Sequence, residues 1–250
     1  MRKLSFWVVF FLLWSAVLPV AETSAAGSAA MEVASEEDDL FHDPFDDNGR
    51  EILIADPLEP VNRAFFWFND KAYFYFLKPV ARAYRFVPED GRVSVGRFFA
   101  NLATPVRFAN SLLQLKIKDA GGELGRFCLN TTVGMGGLLD PARSLGLNQK
   151  DEDFGQTLGH YGVGQGCYLV LPFLGFSSLR DGIGSVVDRF LEPQTYLLSF
   201  WEGLGATGLE TVNFLSLDKD TYETIKKDSL DPYLFTRNAY AQRREGLVKK

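Results

Sequence analysis

The chain has 250 residues and a formal net charge of −6; 31–50 hold eight acids against Arg50 alone, while 51–250 balance 23 bases with 23 acids. A neutral body without a basic stripe lacks the electrostatic footprint of a nucleic-acid binder, which excludes that class. Hydrophobic residues make up 46% of the chain, with 22 Phe, 9 Tyr and 4 Trp, a stock that favours contact with lipid or a large apolar partner.

Arg2 and Lys3 precede an apolar run over 4–20, and small residues follow at Ser24-Ala25-Ala26 and Ser28-Ala29-Ala30. This predicts a cleaved secretory signal over 1–30, with an uncleaved anchor as the alternative. Residues 31–53 read as an acidic linker, too poor in apolar surface to offset the entropy of ordering it. The remainder, 54–250, is expected to form one domain.

Residues 56–77 open like a helix. Asp56 is placed to cap it, Pro57 suits the first helical position, and Glu59 puts a negative charge near the positive end of the dipole. At about 100° per residue, Asn62, Arg63, Phe66, Asn69, Asp70 and Tyr73 share one stripe, opposite Val61, Ala64, Phe65, Phe68, Ala72 and Tyr75. The apolar face is wide and the polar stripe narrow. With Arg63, Asp70 and Lys71 inside it, the segment suits lying along a bilayer and not crossing one. The alternative is a buried helix in a soluble core, with the polar stripe as its wet edge. Lys78-Pro79 is expected to interrupt the helix, and Pro88-Glu89-Asp90-Gly91 to turn the chain.

Val95, Phe98, Phe99 and Leu102 then predict one helix face, Thr104-Pro105 a break, and Val106, Ala109, Leu112 and Leu113 a second short helix. Residues 121–130 predict a helix with its apolar side at Leu124, Phe127 and Cys128, followed by a glycine-rich turn over 134–141. The stretch 154–166, with five glycines, reads as a loop, and 167–175 as the best strand candidate, able to make at most a short hairpin. Ser178 is placed to cap a helix toward Phe190, and 195–217 is helical but weakened by Gly203, Gly205 and Gly208. Asp231-Pro232 starts a last helix whose exposed end is basic through Arg243, Arg244, Lys249 and Lys250. Arg180-Asp181 and Asp188-Arg189 are adjacent opposite charges that read as solvated helix ends, with pairing to other helices as the alternative.

Little chemistry is spelled out. Beyond the linker the sole histidine is His160, no nucleophile elbow or zinc-helix motif occurs, and no metal or cofactor is called for. The glycines around His160 lack the Lys-Ser/Thr of a phosphate loop. Their alternative role is close packing of backbone. Cys128 and Cys167 could form a disulfide in an oxidising compartment, with two buried thiols as the alternative.

Several segments together resemble the VacJ/MlaA family of outer-membrane phospholipid-transport lipoproteins. They are Asp56-Pro57-Leu58-Glu59 with Asn62-Arg63 and Phe68-Asn69; Arg126-Phe127 with Leu129-Asn130-Thr131 and Gly134-Met135-Gly136-Gly137; Phe154-Gly155 with 157–164; Leu171-Pro172-Phe173; and Asp231-Pro232-Tyr233. They run in family order over 54–245. The resemblance implies a mainly α, single ring-like domain of amphipathic helices lying in a membrane leaflet, with at most a short extended or hairpin segment near 165–175. It implies no covalent step. Phospholipid mislocalised in the outer leaflet would pass through an amphipathic channel to a periplasmic carrier protein, with the outer-membrane bilayer and a trimeric porin as further partners. A structural envelope protein that scaffolds porins without moving lipid is the competing function.

On this reading Asn62, Arg63, Phe68 and Asn69 are polar or aromatic contacts of the first helix with the lipid path. Phe154, Gly155, Gly159, His160, Tyr161, Gly162, Gly164, Leu171, Pro172 and Phe173 are candidates for its wall or gate. One departure stands out: the resemblance implies a signal ending in an acylated cysteine, as is common in the family, and no cysteine precedes Cys128 here. Attachment at the periplasmic side of the outer membrane would then rest on embedded helices.

Overall fold

The computed structural model describes residues 53–218 and 220–250. The expected signal over 1–30 and all but the last residue of the expected linker lie outside the described residues. The described chain is mainly helical, with one two-stranded hairpin.

The first helix, α1, runs Glu59–Ala72, two residues later than Asp56 and Pro57 suggest, and Leu58 stands at its cap without a side-chain bond. The Asp56 carboxylate is taken by tertiary partners instead: it accepts from Asn62 Nδ2 at 2.8 Å, from the Tyr233 hydroxyl and from Arg237. Lys78-Pro79 does not interrupt the chain. A π turn over Tyr73–Leu77 leads straight into α2, Lys78–Tyr84, and the Lys78 N–H reaches back five residues to the Tyr73 carbonyl. The wider turn makes room where the Pro79 ring would strike the preceding turn of an ordinary helix.

Helices α3 (Glu89–Leu102) and α4 (Thr104–Leu113) follow as the spacing predicts, broken at Ala103. Next come α5 (Ile117–Thr132) and the glycine turn, where Met135, Gly136 and Gly137 have positive φ, then the short α6 (Pro141–Ser144). The glycine-rich stretch expected to be a loop begins as a helix, α7 (Phe154–His160). Asp153 caps it by accepting from the Gln156 N–H at 2.7 Å. The sequence reading missed that cap because five glycines outweighed one aspartate.

Strands β1 (Tyr168–Leu171) and β2 (Gly175–Ser178) pair antiparallel, Tyr168 opposite Ser178 and Leu171 opposite Gly175, so the hairpin extends three residues past the expected segment. Ser178 caps α8 (Leu179–Arg189) as its sequence position suggests. The region 195–217 divides into α9 (Gln194–Leu197) and α10 (Phe200–Leu217), and α10 runs unbroken through its glycines. A helix not foreseen from the sequence, α11 (Thr221–Asp228), precedes α12 (Pro232–Lys249), which Asp231 caps.

Packing closes these elements into a circuit. Helix α1 lies on β1; the hairpin meets α8 and α12; α12 lies on α7; α7 packs on α8 and α4; α4 on α5; α5 on α3; α3 on α10; and α10 on α2, which continues α1. The ring-like helical domain expected from the resemblance is this circuit. Its apolar core is small and sits at the hairpin: Ile54, Tyr168, Val170, Tyr233 and Ala241, with Phe66 and Phe176 packed against it. Among the described residues, no helix is long and apolar enough to cross a membrane.

Candidate functional site

The distribution of side chains is the reverse of what a soluble domain shows. Among the described residues, 25 buried side chains are polar or charged against 11 apolar ones, while 36 large apolar side chains are exposed. Ordinarily the long charged residues are almost never buried and the aliphatic ones usually are.

Helix α1 states the rule in miniature. Asn62 and Asp70, from its narrow polar stripe, are buried, whereas Val61, Phe65 and Phe68 of the wide apolar face are exposed. The polar stripe faces the protein, so the wet-edge alternative is overturned. The same inversion recurs on α4, where Arg107, Asn110 and Ser111 are inside and Leu112 and Leu113 outside. On α5, Glu123, Arg126 and Asn130 are inside while Leu124 and Cys128 are exposed.

The buried polar groups hold the ring together. Asn62 donates to the Tyr168 carbonyl at 3.0 Å and accepts from the Val170 N–H at 2.9 Å, so one amide replaces a strand neighbour for β1. Asn69, two turns on, repeats the device at the tip: it donates to the Leu171 carbonyl at 2.9 Å and accepts from the Phe173 N–H at 2.7 Å. That second clamp supports a residue in the left-handed region, since Phe173 has φ 64°. Phe68 meets the Phe173 ring edge-on at 4.8 Å. Arg63 binds Glu59 at 2.7 Å and Asp231 at 2.9 Å and lies 4.4 Å over the Tyr233 ring, tying α1 to α12.

A second cluster joins α7, α8 and α12. Arg244 donates to both Asp153 oxygens, at 2.6 and 2.9 Å, and to Asp181 Oδ1 at 3.0 Å, while Arg180 Nε donates to the same Asp181 oxygen at 2.8 Å. Burial would push both carboxyls up, but the Arg244 guanidinium, helped at Asp181 by Arg180, holds them below the usual carboxylate range. Arg180, Asp181, Asp188 and Arg189 are all buried, so the expectation of solvated helix ends fails, and Arg244 is no exposed basic terminus. In a third cluster Arg107 pairs with Glu123 at 2.8 Å, and in a fourth Arg126 pairs with Asp140 at 3.0 Å. Arg107 Nη1 and Arg180 Nη2 are buried without a protein partner among the described residues. Such groups ordinarily hold water or ligand.

The other expected site residues divide. Gly155 and Gly159 serve close packing: a Cβ on Gly184 would lie 2.4 Å from the Gly155 nitrogen, and one on Gly159 2.6 Å from Val248. Gly162 and Gly164 border open space. His160 and Tyr161 are exposed with their rings edge-on, and Phe154 hands its N–H to Asp188 at 2.9 Å. Leu171, Pro172 and Phe173 form the hairpin tip beside Phe68 and Asn69, so the structure brings these five together but leaves His160 on another element. Cys128 is exposed and Cys167 half-buried, both free, so neither the disulfide nor the pair of buried thiols considered above is formed. The interior polar side chains on α4, α5 and α10 escaped sequence reading. The signal was there: Glu123, Arg126 and Asn130 recur at helical spacing, as do Arg107, Asn110 and Gln114.

Asp188 has a different environment. It accepts from Asn110 Nδ2 at 2.7 Å and from Phe154 N–H, with no cation paired to it among the described residues, and burial, then the charges of Asp153 and Glu192, push its carboxyl up from 3.8 to about 7. A carboxyl raised on folding stabilises fully below its unfolded value, and that contribution is lost as pH rises through about 7. Glu210, raised to about 7 by burial and by Glu192, acts with the same sign. Asp188→Asn should therefore flatten the decline in stability between pH 4 and 7 by up to about 1 kcal/mol per pH unit. Unfolding of the detergent-solubilised variant across that range checks this, and slopes identical to the parent would show that Asp188 does not titrate there.

Fold and interior of the described residues together define a class: a closed circuit of helices, polar within and oily without, pinned by a hairpin. The chain belongs to the MlaA lipoprotein family, whose model matches residues 54–247, and the resemblance noted in the sequence holds. It is 38% identical over 198 residues to the intermembrane phospholipid transport system lipoprotein MlaA of Escherichia coli, covering 76% of this chain and 77% of that one. An uncharacterized protein of Rickettsia conorii is 33% identical over 235 residues, 93% of each chain. A solved chain from work on the structural basis for maintenance of bacterial outer membrane lipid asymmetry superposes with a TM-score of 0.70 at 37% identity, covering 78% of this chain and 99% of that one.

Proposed function

We propose that this protein is the outer-membrane component of an intermembrane phospholipid transport system. It removes phospholipid mislocalised in the outer leaflet and passes it to a periplasmic carrier, so maintaining lipid asymmetry. The observation that carries this reading is the inverted surface: exposed rings such as Trp67, Tyr75, Phe76 and Trp201 suit acyl chains, while the buried charges offer a polar lining to a head group. Dragging a charged head group through hydrocarbon is expensive, and a polar lining lowers that barrier while the chains stay on apolar walls. The names of the relatives point the same way. No covalent chemistry is required.

In this account the helices lie in one leaflet, reached after export by the N-terminal signal. The hairpin tip, with Leu171, Pro172, Phe173 and Phe68, borders the lipid path. Asn62, Arg63 and Asn69 shape that path by fixing the hairpin against α1, and Gly162 and Gly164 leave space beside Tyr161. A trimeric porin and the bilayer are the surrounding partners. In a strain lacking the protein, outer-leaflet phospholipid should rise and should return to normal with the intact gene. Unchanged surface phospholipid, together with altered porin assembly, would instead favour a scaffold.

A further inference from the structure

Helix α12 has two unlike sides. Inward, Tyr233 and Ala241 join the apolar core, and Arg244 binds Asp153 and Asp181. Outward, Phe235, Ala239, Arg243, Gly246 and Lys250, which lies just past the helix end, are all exposed. At about 100° per residue they fall in one stripe, with Lys249 at its border. Phe235 is the sole exposed large apolar side chain on α12, so this face does not share the oily surface that α1, α4 and α5 turn outward. Its cations are largely free. Arg243 and Lys250 take part in no ion pair or hydrogen bond among the described residues, and Lys249 reaches Glu245 of its own helix at 3.7 Å.

The chain itself enters beside this helix. Asp56 accepts from the Tyr233 hydroxyl and from Arg237 of α12, and Ile54 belongs to the same core cluster as Ala241. Upstream, residues 36–47 carry seven acids and no Lys or Arg. The sign of charge matches the face. So does the reach: passing from the buried to the exposed side of a helix 10–12 Å across takes roughly 17 Å, and the nine residues from Phe45 to Ile54 span up to about 30 Å when extended.

We infer that the acidic segment 36–47 seats on the outer face of α12, its carboxylates against Arg243, Lys249 and Lys250. A single exposed ion pair is worth little, but a short tether holds the two partners at an effective concentration in the millimolar range, and several pairs act together. Seated there, the segment shields cations that would otherwise attract anionic head groups. The seat uses no part of the lipid path, so its test leaves the transport reading as it stands.

The test is zero-length carbodiimide crosslinking of the full chain in nonionic detergent, which joins a carboxylate to a lysine amine in contact with it. Linked peptides are mapped by mass spectrometry, and an equal mixture of unlabelled and heavy-isotope-labelled chains separates links within one chain from links between copies. Lys249 and Lys250 should join acids of 36–47 within one chain, severalfold more often than do the exposed Lys118 and Lys227. The yield should fall severalfold in 1 M salt, where the screening length is about 3 Å. It should fall likewise in Arg243→Glu, an exposed and unpaired position whose change leaves both lysines in place. No link from 36–47 to Lys249 or Lys250, equal yields at Lys118 and Lys227, a yield indifferent to salt and to Arg243→Glu, or links only between copies would each overturn the seat.

Discussion

Replacing Arg244 with methionine should destabilise the protein by about 3 kcal/mol, because it leaves the carboxylates of Asp153 and Asp181 without their shared guanidinium. Breaking a buried ion pair by removing one partner typically costs 3–5 kcal/mol, and the lower figure applies because the Asp153 side chain is 35% exposed and Asp181 retains Arg180. The expected loss has a pH signature. Both carboxyls are held low in the intact protein, so their stabilisation is present above the unfolded carboxyl range and lost as pH falls through the lowered values. The gap between parent and Arg244→Met should therefore narrow on acidification below about pH 4. Unfolding midpoints measured in detergent from pH 3 to 7 decide it, and a gap constant across that range would show that Arg244 acts through packing alone.

Asn62→Ala should cost a similar amount, about 3 kcal/mol, by a different route. It strands the Val170 N–H and the Tyr168 carbonyl inside the core, and each buried unsatisfied group costs roughly 1–3 kcal/mol. Asn69→Ala makes the same two kinds of bond vanish at the hairpin tip, but Phe173 is 46% exposed and water can replace the lost partner there. Its expected cost is about 1 kcal/mol. Equal losses in the two variants, read by chemical unfolding, would mean that the clamp does not depend on burial. The pair also separates roles within the proposed path: Asn62 governs whether the hairpin stays attached, Asn69 only how its tip is held.

Much of the helical order was legible in the residues. Thr104-Pro105, Ser178 and Asp231-Pro232 mark real helix boundaries, because caps and prolines act through a few adjacent backbone groups. Local signals misled where distant partners competed for the same atoms. Asp56 could cap a helix, yet Asn62, Tyr233 and Arg237 claim its carboxylate; Pro79 could end one, yet a π turn absorbs it. The glycines of 154–166 suggested a loop, yet Gly155, together with Gly184, lets α7 and α8 cross with backbones in contact.

The sequence by itself determined that α1 has a narrow polar stripe and a wide aromatic face, and which family motifs lie where, since periodicity and motif order are properties of the chain alone. Which face turns inward was decided by the tertiary structure. Closing the helices into a circuit gave Asn62 and Asp70 partners from elements far along the chain, and the packing of neighbouring helices gave Arg107 and Glu123 each other. A polar group can be buried only where such partners meet it, and their meeting is set by the packing of whole helices and not by any one segment.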